Sequence, residues 1–185
     1  ERGNWRTDCH AGIPLVDMSI QPILRYPHPV LKKISHEVDS LDDSIRSLVQ
    51  DLVDTMRAGP GSVGVAAPQV GVTLRVCVVD VSGSKNGRDN NHGLLCMINP
   101  EIVDRSGSTV MREGCMSVPD YTGDVERSTS VTVRFTEPDG NVRQVEASGF
   151  EAIAIQHEMD HLDGLLFLDR VVSVKTGLFR RKNYR

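Results

Sequence analysis

The segment from Ser148 to Phe167, SGFEAIAIQHEMDHLDGLLF, constrains the fold most strongly, because it contains two histidines four residues apart. Residues at i and i+4 lie on one face of an α-helix, about 6 Å apart along its axis. In a helix His157 and His161 therefore point the same way and can share one metal ion. Glu158 lies about 100° around the helix from His157, so it stands beside the ion, where a general base belongs.

Both ends of this helix are marked in the sequence. Ser148 and Glu151 match an S-x-x-E capping box, and Gly164 is a typical residue to end a helix. The apolar residues between them form two stripes, which predicts a helix buried on most sides. One stripe carries Phe150, Ile153 and Ala154 with the two histidines, and the other carries Ile155, Met159 and Leu162. Two histidines on such a stripe are costly to bury without a partner, which favours a metal site over two ordinary helix histidines.

The rest of the chain predicts mainly hairpins. An amphipathic helix in SLDDSIRSLVQDLVDTMRAGPG precedes a buried strand, LRVCVVDV, and two extended segments near residues 94–103 and 109–118. A hairpin follows in SVTVRFTEPDGNVRQVEA, around a Pro-Asp-Gly turn. This order predicts an α+β fold with mostly antiparallel β-sheets surrounding the central, histidine-bearing helix. We expect a single catalytic domain over residues 1–185, with 1–19 set aside as an added or processed end and 171–185 as a basic C-terminal tail.

Composition narrows the class of protein. Hydrophobic residues are 39% and charged residues 25%, as in globular proteins, and the net charge of −4 argues against a general nucleic-acid binder. No run of about 18 apolar residues occurs, so no membrane span is expected. A disulfide framework is not expected, and Cys77 and Cys96, in apolar surroundings, are predicted to be buried thiols. The remaining histidines are predicted to be surface residues: His10, His28, His36 and His92.

A third metal ligand is needed, and the sequence favours one upstream of the helix. The motif resembles that of zinc peptidases, but Phe167 stands where one group has its third histidine, and residues 162–185 contain no glutamate to serve as in another. Cys115, in MREGCMSVPD, is the strongest candidate, because a thiolate suits a borderline metal and Gly114 permits close approach. Two other interpretations remain open: a buried thiol, and a nucleophile activated by a histidine.

The glycine-rich stretch GSVGVAAPQVG, from Gly61 to Gly71, lacks the Lys-Ser/Thr ending of a phosphate-binding loop. Its small residues permit a peptide backbone to approach closely, and the Gln69 amide is suited to hydrogen-bond a developing oxyanion. A simple packing turn is the alternative.

Three segments in this order, GSVGVAAPQ, EGCMS and QHEMDHLDG, closely resemble the signature motifs of peptide deformylases, and the resemblance extends over residues 20–169. It implies a metal-dependent hydrolase that removes the formyl group from N-formylmethionyl nascent chains. It also implies metal ligation by Cys115, His157 and His161, catalysis by Glu158, and oxyanion contacts from Gln69 and the main-chain N–H of Met116. The implied ion is Fe²⁺, with Zn²⁺ or Ni²⁺ as substitutes, and the implied location is the bacterial cytoplasm or an organelle.

The sequence departs from the common motifs at three positions. Val65 and Met116 replace leucine, which conserves apolar character. Ser62 replaces a glycine, and serine adopts a positive φ at a higher cost than glycine does, so the backbone angle at this position is open. None of these changes touches a metal ligand or an acid–base group, so we expect activity to be retained.

Formyl-methionine requires an apolar pocket, and the helix offers one wall. The expected substrate-binding residues are Phe150, Ile153 and Ala154, with Val63 and Gly64 opposite, and Gly64, Glu113 and Gly114 for main-chain pairing with the peptide. Plain core packing is the alternative for the helix residues. For the basic tail, a solvated, disordered end is favoured over contact with the ribosome. The competing functions are a peptidase that cuts internal bonds and a non-catalytic protein with a structural metal.

Overall fold

A computed structural model describes residues 19–181, and within them the chain forms two α-helices and eight β-strands. The helices are α1 (Asp43–Ala58) and α2 (Gly149–Leu162), and the strands are β1 (Gly64–Ala66), β2 (Val76–Val79), β3 (Leu95–Ser106), β4 (Thr109–Cys115), β5 (Val118–Arg127), β6 (Ser130–Thr136), β7 (Val142–Ser148) and β8 (Leu178–Arg180). All strand pairs within the two sheets are antiparallel, which confirms the predicted α+β class. Neither of these two helices combines the length and apolar character that crossing a bilayer requires.

The larger sheet has the strand order β1-β2-β3-β6-β7 and lies between the two helices. Successive side chains of a strand point to opposite faces. In β2, Cys77 and Val79 therefore pack toward α2, while Val76 and Val78 pack toward α1. This two-sided burial confirms the prediction of a buried strand and explains why the Cys77 thiol is inaccessible. The predicted hairpin is also present, as β6 and β7.

Helix α2 is buried along nearly its whole length, as predicted, but its N-terminus is held differently. Ser148 is the N-cap residue, yet its side chain makes no capping hydrogen bond. The Ser148 hydroxyl instead accepts from Asn90 at 2.8 Å, and the Glu151 carboxylate accepts from the main-chain N–H of His92 at 2.7 Å. The predicted capping box is therefore wrong, because the preceding loop takes both side chains. His92 is exposed as predicted, but its ring also contacts Glu151.

The end of α2 agrees with the sequence. Gly164 follows the helix with a φ of +70°, a conformation that glycine adopts at little cost. A Cβ at this position would lie 2.8 Å from the carbonyl oxygen of Lys32, so the close contact with that segment also requires glycine.

The smaller sheet has the order β4-β5-β8 and differs most from expectation. The extended segment near residues 109–118 is only half of a hairpin, since β5 continues it to Arg127. The predicted disordered tail is wrong up to residue 181, because β8 pairs with β5 through Thr122 and Phe179. Residues 1–18, including His10, and residues 182–185 lie outside the described residues.

Candidate active site

A cleft of about 770 Å³ lies between β1, at one edge of the larger sheet, and β4, at one edge of the smaller sheet. Nearly all site residues expected from the sequence line it. They are Val63, Gly64, Gln69, Glu113, Gly114, Cys115, Met116, Phe150, Ile153, Ala154, His157 and Glu158. His161 is buried, 1% exposed, with its ring against the Cys115 sulfur. The cleft therefore collects residues from distant parts of the chain.

Cys115, His157 and His161 form a metal-binding site. Their donor atoms lie within 4.8 Å of one another, and the Sγ of Cys115 is 3.3 Å from Nε2 of His161. Donors placed tetrahedrally at about 2.0–2.3 Å from an ion are about 3.3–3.8 Å apart, so the distance of 3.3 Å between the Cys115 sulfur and the His161 nitrogen fits a shared ion. A thiolate with two imidazoles is also a donor set that borderline divalent metals accept.

The charges at the site favour a thiolate at Cys115, paired with a protonated His157 that must give up a proton to bind a metal. Burial alone would raise the pKa of Cys115, but the rings of His161 and His157 outweigh it and hold that pKa well below its usual value. Burial alone would lower the pKa of His157, but Cys115 and Glu113 outweigh it and raise that pKa well above its usual value. The sulfur is thus held as a thiolate, which is the form that binds metals.

Glu113 has a role that the sequence did not indicate. Its side chain is buried, and one oxygen lies 2.7 Å from Nδ1 of His157. Arg127 donates two hydrogen bonds to the same carboxylate, at 2.7 and 3.0 Å, and a third to Asp160. Burial raises the pKa of Glu113, but the hydrogen bonds from His157 and Arg127 prevail and lower it to about 2. The ionised carboxylate therefore orients the His157 ring and leaves Nε2 for the metal.

The ion-pair network continues to the surface through Arg170, which donates to both oxygens of Asp160 at 2.8 and 2.7 Å. Sequence patterns missed Arg127, Asp160 and Arg170. Asp160 stood inside the His-Glu-x-x-His motif on a helix predicted to be buried, which was the available signal that it needs a cation. For Arg127 no local pattern exists, since its partners come from β4 and α2.

Glu158 is 4% exposed and projects into the cleft. Burial raises its pKa to about 7, despite the opposing effect of His157. Among the described residues, no hydrogen-bond partner is within reach of its Oε2. Gly64 creates the room for this side chain, because a Cβ there would lie 2.5 Å from Oε1 of Glu158. The carboxylate therefore stands next to the metal ligands with a pKa suited to exchanging protons near neutral pH.

The Gln69 amide is held in one orientation. Its Oε1 accepts a hydrogen bond from the main-chain N–H of Ala66 at 2.9 Å, which places the amide nitrogen toward Ser117 at 3.2 Å and the Cys115 sulfur at 3.5 Å. The donor thus points at the metal site. Ser62 fits its place without backbone strain. Among residues 19–181 the one non-glycine residue with a positive φ is Asn99, so Ser62 does not adopt the left-handed conformation that favours glycine.

Other residues at the cleft were not anticipated. The N-terminal segment, here residues 19–28, contributes Pro22, Ile23 and Arg25; β4 contributes Arg112, and Arg181 follows β8. The N-terminal segment is fixed there by two main-chain hydrogen bonds, from Leu24 to Gln69 and from Tyr26 to Ser117, each 2.8 Å.

Comparison with known proteins gives consistent results. A family profile described as "Polypeptide deformylase" matches residues 20–177. A peptide deformylase of Syntrophobacter fumaroxidans is 41% identical over 165 residues, which cover 89% of this chain and 94% of the relative. A crystal structure of an Ehrlichia chaffeensis peptide deformylase with actinonin matches at a TM-score of 0.79 and 39% identity, covering 85% of this chain and 92% of that one. A Met-Ala-Ser-bound Acinetobacter baumannii enzyme matches at 0.76 and 34%, covering 83% and 99%.

Proposed function

The chain belongs to the polypeptide deformylase family and removes the formyl group from the N-terminus of nascent polypeptides, and we propose that Cys115, His157, His161 and Glu158 carry this reaction. The observation that supports this assignment most strongly is the convergence of the three ligand atoms within 4.8 Å at the floor of the cleft. Glu158 projects into the same cleft.

The metal ligands have a binding and positioning role. The two rings come from successive turns of one buried helix, and the sulfur comes from the end of β4, so the rigid core fixes all three. When bound, the divalent ion supplies Lewis-acid activation of a water molecule and of the formyl oxygen. We propose Fe²⁺ as the physiological ion, with Zn²⁺ or Ni²⁺ as substitutes.

Glu158 is the proposed general base and acid. It takes a proton from the attacking water and returns it to the leaving amine as formate departs, so the carboxyl group ends the cycle unchanged. A pKa of about 7 supports both transfers, because a group that is half ionised near neutral pH accepts and donates protons with similar ease.

Gln69 and Met116 are the proposed oxyanion donors. The amide nitrogen of Gln69 already points toward the metal site, and the main-chain N–H of Met116 follows the ligand cysteine directly. Hydrogen bonds placed in advance at a developing negative charge commonly contribute about 3–4 kcal/mol per donor.

The two sheet edges explain how a peptide enters. β1 and β4 are edge strands of different sheets, and both line the cleft. We propose that the substrate adds as an extended strand between them, with main-chain pairing at Gly64, Glu113 and Gly114. The methionine side chain then lies against Phe150, Ile153 and Ala154, with Val63 opposite.

The direct test is formate release from formyl-Met-Ala-Ser by anaerobically purified protein of known metal content. We expect release in proportion to bound metal, and no cleavage of an unmodified peptide with the same internal bonds. Cleavage of internal bonds would favour the peptidase alternative. A fourth protein ligand on the ion would favour a structural metal.

Domain organisation, location and ribosome contact are further proposals. We propose a single catalytic domain and a bacterial cytoplasmic location, supported by the bacterial relatives. We also propose ribosome contact through the basic tail, residues 171–185. It is tested by comparing co-sedimentation of the wild type with that of a variant in which the basic residues of the tail are replaced by glutamine: Lys175, Arg180, Arg181, Lys182 and Arg185. Equal co-sedimentation would dismiss this contact.

A further inference from the structure

Three guanidinium groups line the cleft although the protein as a whole has a net charge of −4. Arg25 comes from the N-terminal segment, Arg112 from β4 and Arg181 from the residue that follows β8. The carboxylates among the described lining residues are Glu113 and Glu158, and both are buried. The outer part of the cleft is therefore cationic, while its acidic groups are directed inward.

Arg181 is brought to the cleft by strand pairing. Thr122 of β5 pairs with Gly114 on one side and with Phe179 on the other, so these residues share one face of the smaller sheet. The main-chain N–H of Arg181 donates to the carbonyl of Asp120 at 2.9 Å, which continues this alignment. Arg181 therefore projects on the same side as Gly114.

Gly114 leaves the space that Arg181 occupies. A Cβ at Gly114 would collide with Nη2 of Arg181, so the guanidinium crosses β4 where that strand has no side chain. Gly114 directly precedes the metal ligand Cys115. The charge of Arg181 consequently lies beside the strand edge to which the substrate main chain is proposed to pair.

The two other arginines are held in different ways. Arg25 lies between Leu24 and Tyr26, whose main-chain N–H groups are both bonded to the core, so its backbone position is fixed at the cleft. Arg112 lies 3.5 Å over the ring of Phe179 and 3.2 Å from a carboxylate oxygen of Asp124, so its charge is partly neutralised. Arg181 is distinguished from both by its position, because its guanidinium lies against Gly114, next to the ligand Cys115.

We propose that Arg181, with Arg25, makes the enzyme prefer substrates with an acidic side chain at the second or third residue. This inference rests on the strand-addition mode proposed above. A bound strand advances about 3.3 Å per residue, so the residues that follow methionine pass along β4 beside Gly114. The Arg181 guanidinium attracts a side-chain carboxylate of such a residue and repels a lysine, and its planar donors suit a carboxylate well.

The experiment uses the metal-loaded enzyme and five peptides: formyl-Met-Ala-Ser, and variants with Glu or Lys at either the second or the third residue. We expect kcat/KM to be higher for Glu than for Lys at one of these positions by about twofold to fivefold, the range that a solvent-exposed ion pair supplies. The difference should lie mainly in KM, because the contact is remote from the formyl group. The difference between the Glu and Lys peptides should shrink as salt rises from about 0.05 to about 0.5 M, because salt screens the interaction between the charges.

Arg181→Gln should reduce this preference, and Arg181→Glu should reverse it toward lysine. Arg180→Gln is the matched control, since Arg180 is the neighbouring residue of β8 and does not line the cleft. Thermal unfolding of each variant checks that β8 remains in place.

The outcomes separate the two levels of the proposal. If wild type does not hydrolyse formyl-Met-Ala-Ser, the proposed function fails. If it does but treats Glu and Lys alike, or if Arg181→Glu leaves the ratio unchanged, the specificity role is wrong. A loss of ribosome co-sedimentation in Arg181→Gln with an unchanged peptide ratio would assign the charge to nucleic-acid phosphates and also overturn it.

Discussion

The carboxylate of Glu113 accepts a hydrogen bond from Nδ1 of His157 at 2.7 Å, and Arg127 donates hydrogen bonds to both oxygens of that carboxylate. Hydrogen bonds thus connect a buried cation, a carboxylate and a metal-ligand histidine. The arrangement selects the histidine tautomer and ring orientation before any ion binds. It also ties the metal site to β5, which contributes no ligand.

Removing this support should weaken metal binding. We expect Glu113→Ala to lower metal affinity by about 10-fold to 100-fold, because the His157 ring loses the group that orients it. The variant also leaves Arg127 with one fewer buried partner, so the free energy of unfolding should fall by about 3–5 kcal/mol. Competition with a chelator measures the affinity, and denaturant unfolding measures stability.

Glu146→Ala is a suitable control, because Glu146 is exposed on β7. Equal metal affinity in Glu113→Ala and Glu146→Ala would contradict the orienting role of Glu113.

Glu158→Gln should separate metal binding from turnover. The amide cannot accept the proton from water, so formate release should fall by about 10²-fold to 10⁴-fold. Metal content should stay at the wild-type level, because Glu158 is not one of the three ligands. Elemental analysis and formate release on the same sample give both quantities. Near-normal turnover would show that another group handles the proton.

Gly64→Ala should damage the same step indirectly. A Cβ there would lie 2.5 Å from the Glu158 carboxylate, so the side chain must move from its place beside the metal ligands. We expect a large loss of kcat with the ion retained. Gly83→Ala is the control, because a Cβ at Gly83 would meet nothing within 4 Å. If both variants keep wild-type kcat, the close packing of Gly64 on Glu158 has no catalytic consequence.

Metal removal should abolish turnover and lower the unfolding temperature. Cys115 of β4 and the two histidines of α2 would hold the ion together, and a ligand that binds only the folded state stabilises it by mass action. Chelation followed by calorimetry and activity measurement checks both effects. Anaerobic addition of Fe²⁺, Zn²⁺ or Ni²⁺ to the stripped protein should restore them. Full activity in metal-free protein would refute the mechanism.

Local patterns predicted the helices and the hairpin correctly. The apolar stripes of α2, the i, i+4 histidines and Gly164 all follow from the helical period or from one residue's conformational freedom, which a short segment contains in full. Cys115 was a candidate from its glycine neighbour and its chemistry. The structure places its sulfur 3.3 Å from a ring nitrogen of His161.

Predictions failed where a distant partner competed with a local one. Ser148 and Glu151 have the spacing of a capping box, but Asn90 and His92 bind these side chains instead. The C-terminal segment has the composition of a solvated tail, but β5 offers an open edge on which Phe179 and its neighbours form β8. In both cases the local sequence was compatible with two outcomes, and a long-range contact selected one.

Short segments of the chain were enough to predict its reactive groups: a helix with two imidazoles and a carboxylate on known faces, and a cysteine and an amide in small-residue segments. Helical period and side-chain chemistry act over a few residues, so these features can be read locally. Three further relationships became visible in the folded chain alone: Arg127 supports Glu113, Gly64 makes room for Glu158 and Arg181 reaches the cleft. These contacts join residues from separate strands and helices, and they depend on how the two sheets pack around α2, which no local pattern encodes.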